Sequence, residues 1–137
     1  MVSGISRPGG VISTLADDKR GDIVANSGAV ATLAPTMALE GFTPLELMDA
    51  ALAGCLVISV RLAAKKLGWI ERLGEVRVEV NHTKAPGLPS RVANFESEFF
   101  IEGILTDDEK AALIAEAHAL CTVGNTFEHG ATVTDKP

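Results

Sequence analysis

The sequence predicts an α+β fold in a single domain that spans residues 1–137. A long apolar stretch with a capped start predicts one central helix. Two stretches in which apolar and charged residues alternate predict strands that follow one another before a second helix. The resulting order, β-β-α-β-β-α-β, is typical of an antiparallel sheet with helices and not of a parallel α/β fold. No repeat or linker divides the chain, and residues 1–10 predict a loose, Gly-rich start.

The N-terminal region predicts two short strands, Val11–Leu15 and Ala29–Leu33, because both are rich in β-branched or small apolar residues. Asp17–Asp22 and Asn26–Gly28 have the composition of turns. Residues 34–43 predict a loop that leads into the central helix.

The central helix is predicted from Pro44 to about Leu67. Thr43 and Glu46 have the spacing of a capping box, and Gly68 fits the residue that ends a helix. Its middle, Ala50–Val60, is apolar nearly all round, and a helix of that kind is buried on most faces. We therefore expect Cys55 to lie inside the protein or inside an interface.

The second half predicts a hairpin followed by a helix. Apolar residues alternate with charged ones at Val76–Val80 and at Phe95–Ile101, where Phe100 breaks the alternation, and Lys84–Ser90 predicts the loop between them. A second capping box at Thr106 opens a helix through about Leu120. The predicted inward face of this helix consists of Ala111, Ile114, Ala115 and His118. Ala131 and Val133 predict a short final strand.

The net charge of −6, without a block of Lys or Arg, argues against nucleic acid and against an anionic membrane surface as partners. Residues 1–10 contain no apolar core of a signal peptide, and Ala50–Val60 is too short to span a bilayer. The chain is therefore expected to be soluble and cytoplasmic. Structural disulfides are uncommon in that compartment.

Cys55 and Cys121 are the only cysteines, 66 positions apart, and each admits two interpretations. Free cysteines are often small buried hydrophobes, which fits a packed helix at Cys55 and a helix end at Cys121. Alternatively, Cys55 is a reactive thiolate and Cys121 resolves the sulfenic acid that an oxidant forms on it. The second interpretation requires the fold to bring the two thiols together.

A metal site is disfavoured by the spacing of its possible ligands. Cys55, Cys121, His118 and His129 could form a zinc set only if they converge, and no C-x-x-C or H-E-x-x-H spacing supports one. His82 borders a loop and is expected to be solvated. The sequence also lacks a phosphate-binding glycine loop and a recognisable Ser-His-Asp context, so neither a metal nor an organic cofactor is expected.

The segments around the two cysteines resemble the OsmC/Ohr family of thiol-dependent peroxidases. The resemblance covers about residues 41–134 and is strongest at Thr43–Leu47 followed by Ala50–Cys55. The segment Cys121–Thr126, with the sequence CTVGNT, is similar to the Cys-Pro-Val-Ser-Asn-Thr segment of the family.

The resemblance implies an intertwined homodimer with active sites at the subunit interface, and a role in oxidative-stress defence. It implies that Cys55 attacks an organic hydroperoxide or hydrogen peroxide, that Cys121 resolves the product as a disulfide, and that a dithiol reductant restores both thiols. A glutamate at the start of the cysteine helix and an arginine near the N-terminus activate the thiolate in the family. Glu46 and Arg20 are the candidates for these roles, with Arg7 as the alternative arginine.

Three departures from the family pattern concern the glutamate, the arginine and the proline after the second cysteine, and the first two keep a second function open. The glutamate of the peroxidase branches directly follows the helix-start proline, where this chain has Leu45, and Glu46 lies about 100° further round the helix. Thr122 stands where the family has proline. The alternative is a non-catalytic member that binds a small apolar ligand at the dimer interface.

Overall fold

The computed structural model describes residues 9–137 and divides the chain into two compact units, which meet in sequence between Met48 and Asp49. Arg7 and most of the predicted loose start lie outside the described residues. The carbonyls of Gly9 and Gly10 accept hydrogen bonds from Asn26, at 2.8 and 3.1 Å. The expectation of a single domain stays a prediction.

The first unit contains a three-stranded antiparallel sheet in the order β1-β2-β3. The strands are β1 (Val11–Thr14), β2 (Gly21–Ala25) and β3 (Val30–Leu33). The outer two confirm the predicted strands, but β2 was not predicted. Its first two residues, Gly21 and Asp22, were assigned to the preceding turn because of their composition, and they instead pair with β3 opposite Leu33 and Thr32.

Helix α1 (Pro44–Leu67) begins in the first unit and continues into the second, with the predicted bounds. The backbone N–H of Thr43 donates to the Glu46 carboxylate at 3.0 Å, and the N–H of Glu46 donates to the Thr43 hydroxyl at 3.3 Å. Gly68 has φ of 77°, which allows the N–H of Trp69 to donate to the Ala64 carbonyl at 2.7 Å. Capping at both ends therefore explains why the bounds could be predicted.

The second unit contains the hairpin of β4 (Leu73–Lys84) and β5 (Val92–Gly103), which a turn of 3₁₀ helix precedes. Both strands are longer than predicted. The Phe100 ring, which breaks the alternation, lies 4.1 Å below the guanidinium of Arg77 on the neighbouring strand. A cation–π contact therefore accounts for an aromatic residue at that position.

Two helices follow the hairpin, α2 (Asp107–Leu120) and α3 (Thr122–His129). The capping box at Thr106 is confirmed. The predicted final strand is wrong: residues 131–137 have no regular secondary structure, and Val133 is 94% exposed. Helix α3, which occupies the segment before it, was not predicted.

The core of the second unit places one face of α1 against the hairpin and α2. Leu56, Val60 and Leu113 are fully buried. Within one chain α1 is buried on one face only, since Ile58 is 61% and Leu62 47% exposed. These two side chains lie on the opposite side of the helix from the buried face, where no part of residues 9–137 covers them fully. The predicted burial on most faces, which included an interface, stays a prediction.

The predicted inward face of α2 is also corrected. Leu113 and Ala117, one helical turn apart, are fully buried, and Ile114 is partly buried. Ala111, Ala115 and His118 are exposed. The sequence was compatible with either face of α2 pointing inward, because small apolar residues occur all round this helix.

Helix α1 is long and apolar enough, by length and composition, to cross a membrane. The sequence analysis judged the apolar stretch too short to span a bilayer, because it counted only the uninterrupted apolar residues of Ala50–Val60. Six residues of α1 are buried within the chain, as in the core helix of a folded domain. Its length therefore carries no argument for a membrane.

Candidate functional site

Cys55 and Cys121 lie together in the second unit, although 66 positions separate them in sequence. Each of the two thiols is close enough to the other to shift its pKa. Cys121 is fully buried in a cluster with Leu52 and Leu56, and Cys55, which is partly exposed, packs against that cluster. Both cysteines are free thiols. The condition on which the redox interpretation depends, proximity of the two thiols, is therefore met.

The N-terminus of α3 lies beside the cysteine cluster, against which Val123 packs. Cys121 is the N-cap residue, and its Sγ accepts a hydrogen bond from the N–H of Gly124 at 3.3 Å. The backbone of Val123 and Thr122 also favours the thiolate form of Cys55. The first turn of a helix leaves its N–H groups without intrahelical partners, which makes it a favourable site for negative charge.

The environment lowers the pKa of the Cys55 thiol below its usual value. Partial burial opposes ionisation, but hydrogen bonds to the thiolate outweigh it. The donors, in order of effect, are the Val123 N–H, the Cys121 thiol, the Ser59 hydroxyl and the Thr122 N–H. Cys55 is therefore the cysteine that ionises more readily.

The pKa of the Cys121 thiol is raised, in the opposite direction. Burial is the main cause, and donation of its proton to Cys55 adds to it, while the N–H of Gly124 opposes both. The two thiols thus differ in how readily they ionise, and Cys55 has the lower pKa of the two. The thiolate is the nucleophilic form of a cysteine, so Cys55 is the more reactive candidate.

Glu46 lies at the start of α1, nine residues before Cys55. Nine residues correspond to about 13.5 Å along a helix axis. Hydrogen bonds from the backbone N–H and the hydroxyl of Thr43 lower the pKa of the Glu46 carboxyl. Its carboxylate therefore serves the capping box.

Arg20 belongs to the first unit, where its guanidinium lies 3.7 Å from the carboxylate of Glu40. Both side chains are largely exposed. Within residues 49–137, the groups that shift the pKa of Cys55 are backbone amides, a thiol and a hydroxyl, with no cation among them.

His82 was predicted to be solvated, but its side chain is largely buried. Its Nδ1 lies 2.7 Å from Oδ2 of Asp49, and the two side chains are only 24% and 18% exposed. The ring also makes an edge contact with Phe95, which faces it across the hairpin. The loop residues that follow His82 misled the prediction, because His82 itself lies on the inward-facing side of β4.

The metal interpretation depended on Cys55, Cys121, His118 and His129 coming together. Among residues 9–137, no three His, Cys, Asp or Glu side chains are grouped so that they could hold a metal ion. His118 instead places its ring 5.5 Å from that of Phe99.

A pocket of about 460 Å³ opens beside the buried cysteine. Leu52 and Gly124, both neighbours of Cys121, contribute to its wall, and the stacked rings of Phe95 and Phe127 lie 4.7 Å apart along it. Polar groups also line it, including His118 and Glu128. The pocket therefore combines an aromatic wall with a polar rim.

The family model described as OsmC-like protein matches residues 37–136, which include both cysteines. The chain belongs to the OsmC-like family. The match agrees with the resemblance seen in the cysteine segments and with the α+β fold. Comparison with curated proteins found no match.

Solved structures of other OsmC-like family proteins have the same fold at low sequence identity. An OsmC like protein from Mycoplasma pneumoniae aligns with a TM-score of 0.78 at 15% identity, over 90% of this chain and 89% of that chain. An organic hydroperoxide resistance protein OsmC from Legionella pneumophila aligns with a TM-score of 0.71 at 21% identity, over 88% of each chain. An organic hydroperoxide resistance protein from Elizabethkingia anophelis aligns with a TM-score of 0.63 at 19% identity, over 92% of this chain and 90% of that chain.

The residues that sequence reasoning missed are the donors around Cys55. Ser59 follows Cys55 by one helical turn, so its spacing alone indicates a shared face. The N–H groups of Thr122 and Val123 carry no such signal, because their role depends on α3 starting directly after Cys121. The backbone of an unpredicted helix therefore helps to lower the pKa of Cys55.

Proposed function

We propose that this OsmC-like protein is a thiol-dependent peroxidase that reduces organic hydroperoxides or hydrogen peroxide through Cys55 and Cys121. The observation that carries the proposal is the packing of Cys55 against the buried cluster that contains Cys121. The chain has only these two cysteines, and the surroundings of Cys55 lower the pKa of its thiol.

The proposed reaction has three steps. The Cys55 thiolate attacks one peroxide oxygen, the O–O bond breaks, and the products are a sulfenic acid on Cys55 and an alkoxide that takes up a proton to become an alcohol. The Cys121 thiol then attacks the Cys55 sulfur, which forms the disulfide and releases water. A dithiol reductant finally reduces the disulfide to two thiols and is itself oxidised to a disulfide.

The names of two structural neighbours support a peroxide substrate. Those from Legionella pneumophila and Elizabethkingia anophelis are named organic hydroperoxide resistance proteins. The apolar surroundings of Cys55 and Cys121 favour hydrophobic peroxides over hydrogen peroxide. A cytoplasmic location, where a dithiol reductant is available, accords with this proposal.

A homodimer is part of the proposal and is supported by the uncovered face of α1. Ala51, Gly54, Ile58 and Leu62 recur at helical spacing and are all exposed. At 100° per residue, Cys55 lies about 40° from Ala51, at the edge of this face. A second copy packed on α1 would therefore border Cys55 and complete the wall of its site.

The test is peroxide consumption by the reduced protein with cumene hydroperoxide and no added reductant. The wild-type chain is expected to consume one equivalent and to stop. Cys55→Ser is expected to consume none. Cys121→Ser is expected to consume one equivalent and to retain a sulfenic acid on Cys55 that dimedone traps. Full consumption by Cys55→Ser would contradict the proposal.

A second candidate function, binding of a small apolar ligand without catalysis, rests on the pocket of about 460 Å³ beside Cys121. Its volume lies within the range of small-molecule sites, and Phe95 and Phe127 offer aromatic surface. Native mass spectrometry of the purified protein distinguishes the two functions. A stoichiometric ligand on a chain that consumes no peroxide would favour binding.

A further inference from the structure

The pocket of about 460 Å³ lies beside one sulfur of the cysteine pair and not beside the other. Leu52 and Gly124 line it, and both are neighbours of Cys121. The N–H of Gly124 donates to Cys121 Sγ at 3.3 Å, and Leu52 belongs to the buried cluster that contains Cys121. Among residues 9–137, those that line the pocket do not include Cys55. The sulfur of Cys121 therefore lies directly behind the pocket wall.

Gly124 keeps this wall thin, because it has no side chain. A Cβ at this position would lie 3.3 Å from Cys121 Sγ and 3.5 Å from Leu52 Cδ1. Gly124 lies within helix α3, where alanine is the better helix former. Glycine at this position therefore costs helix stability but leaves space in front of the Cys121 sulfur.

Cys55 is approached from a different side of the cluster. Its side chain is partly exposed, whereas Cys121 is fully buried. Cys55 also lies at the edge of the uncovered face of α1, which exposes Ile58 and Leu62. Peroxide can therefore reach Cys55 from that face, while a molecule in the pocket meets Cys121 first.

We propose that this pocket admits the small dithiol that reduces the Cys55–Cys121 disulfide, and that the dithiol attacks the sulfur of Cys121. The inference rests on the disulfide of the proposed function, but this disulfide can be made without peroxide. The stacked rings of Phe95 and Phe127 and the polar rim of the pocket suit a small organic dithiol with an apolar body.

The reduction consists of two thiol–disulfide exchanges. The first thiolate of the dithiol attacks Cys121 Sγ, which forms a mixed disulfide and breaks the Cys55–Cys121 bond, with the electron pair left on Cys55. The second thiolate then attacks the bound sulfur of the reductant, which closes a cyclic disulfide and releases Cys121. The two protons that the dithiol gives up restore both cysteine thiols.

The different acidities of the two thiols favour this direction of attack. The pKa of Cys55 is lowered in spite of partial burial, whereas burial raises the pKa of Cys121. A thiol of lower pKa leaves faster in disulfide exchange, so the first step proceeds more readily when Cys55 is the leaving group. The N–H of Gly124 then favours the negative charge on Cys121 as it leaves in the second step.

The experiment locates the first mixed disulfide on the full-length wild-type protein. Diamide oxidises the reduced protein by removing the two thiol hydrogens, and 2-mercaptoethanol, a monothiol, is then added briefly. Acid stops the exchange, and digestion with pepsin in acid followed by mass spectrometry locates the adduct. We expect the earliest adduct on Cys121, with Cys55 as a free thiol. An adduct that forms first on Cys55 would overturn the proposal, as would a protein in which diamide forms no disulfide between the two cysteines.

Gly124→Ala tests the route through the pocket. Its methyl group would stand in front of Cys121 Sγ, so dithiothreitol is expected to reduce the diamide-formed disulfide about tenfold more slowly than in wild type. Gly9→Ala is the matched control, because a Cβ there meets nothing within 4 Å, and its rate is expected to equal that of wild type. A wild-type rate in a folded Gly124→Ala protein would contradict the route. Should this variant not fold, the position of the adduct on the wild-type chain decides.

The proposed function and the role of the pocket can fail separately. A first adduct on Cys121 in a protein that consumes no cumene hydroperoxide would end the proposed peroxidase function and leave the role of the pocket standing. Peroxide consumption together with a first adduct on Cys55 would leave the function standing and overturn the role of the pocket.

Discussion

At the scale of single residues, two chemically identical thiols acquire opposite properties from their neighbours. The pKa of Cys55 falls in spite of burial, because the Val123 backbone and other neighbouring groups favour its thiolate. Cys121 is fully buried, and this burial raises its pKa. The sequence identifies both cysteines, but it cannot assign these properties, because the donors come from backbone positions.

Ser59 supplies the only side-chain hydroxyl among the donors to Cys55. Ser59→Ala is expected to slow alkylation of Cys55 near pH 7 by about two- to tenfold, because one hydrogen bond to the thiolate is lost. Ser59 is 2% exposed, so alanine fits the site, and the melting temperature is expected to change little. Ser90→Ala, in the exposed hairpin loop, is the control. Equal alkylation rates for both variants would show that Ser59 does not act on Cys55.

At the scale of secondary-structure elements, prediction succeeded where the sequence contains a strong local signal. Helix α1 has a capping box at Thr43 and a terminating glycine at Gly68, and its bounds are as predicted. Helix α3 has a cysteine as its N-cap and a glycine in its first turn, neither of which signals a helix. Tertiary packing of Val123 and Phe127 against the cysteine cluster therefore stabilises a helix that local propensity does not predict.

The pair of Asp49 on α1 and His82 on β4 joins helix and hairpin within the second unit. His82→Ala is expected to lower the free energy of unfolding by about 1–3 kcal/mol, because it leaves a largely buried carboxylate without its partner. Urea denaturation measures the loss. A double-mutant cycle with Asp49→Ala is expected to give a coupling energy of the same sign. Additive effects would mean that the pair contributes no interaction of its own.

The start of α2 depends on the ionised Glu109. Its carboxylate accepts two hydrogen bonds from Arg72, at 2.9 and 2.7 Å, and one from the Thr106 N–H, and these lower its pKa from 4.5 to about 2. A depressed carboxyl pKa contributes stability above the unfolded value, and that contribution is lost as the pH falls from 4.5 towards 2.

Glu109→Gln is accordingly expected to be less stable than wild type at pH 7. The difference between the two proteins is expected to shrink below about pH 4.5 and to be smallest near pH 2. Denaturation at a series of pH values measures it, with Glu96→Gln on the exposed face of β5 as the control. A difference that does not depend on pH would contradict the assigned cause.

At the scale of the whole molecule, α1 has two contrasting sides. One side forms the core of the second unit, and the other exposes Ile58 and Leu62. The sequence predicted burial of α1 on most faces, inside the protein or inside an interface, and residues 9–137 of one chain bury one face. The contrast supports a second copy as the missing cover, with Cys55 at the edge of the covered face.

Ile58→Asp is expected to convert the proposed homodimer to a monomer, because it places a charge at the centre of the uncovered face. Light scattering after size-exclusion chromatography measures the mass. Ile104→Asp is the matched control, since Ile104 is 80% exposed in a loop and is expected to leave the dimer intact. A monomeric wild-type protein would contradict the proposed dimer.

The central claim is that Cys55 and Cys121 form a dithiol that peroxide oxidises. The most direct test is the intact mass of the fully reduced protein after one equivalent of cumene hydroperoxide. We expect the wild-type chain to lose two hydrogens, and we expect no such loss in Cys55→Ser or Cys121→Ser. An unchanged wild-type mass would contradict it.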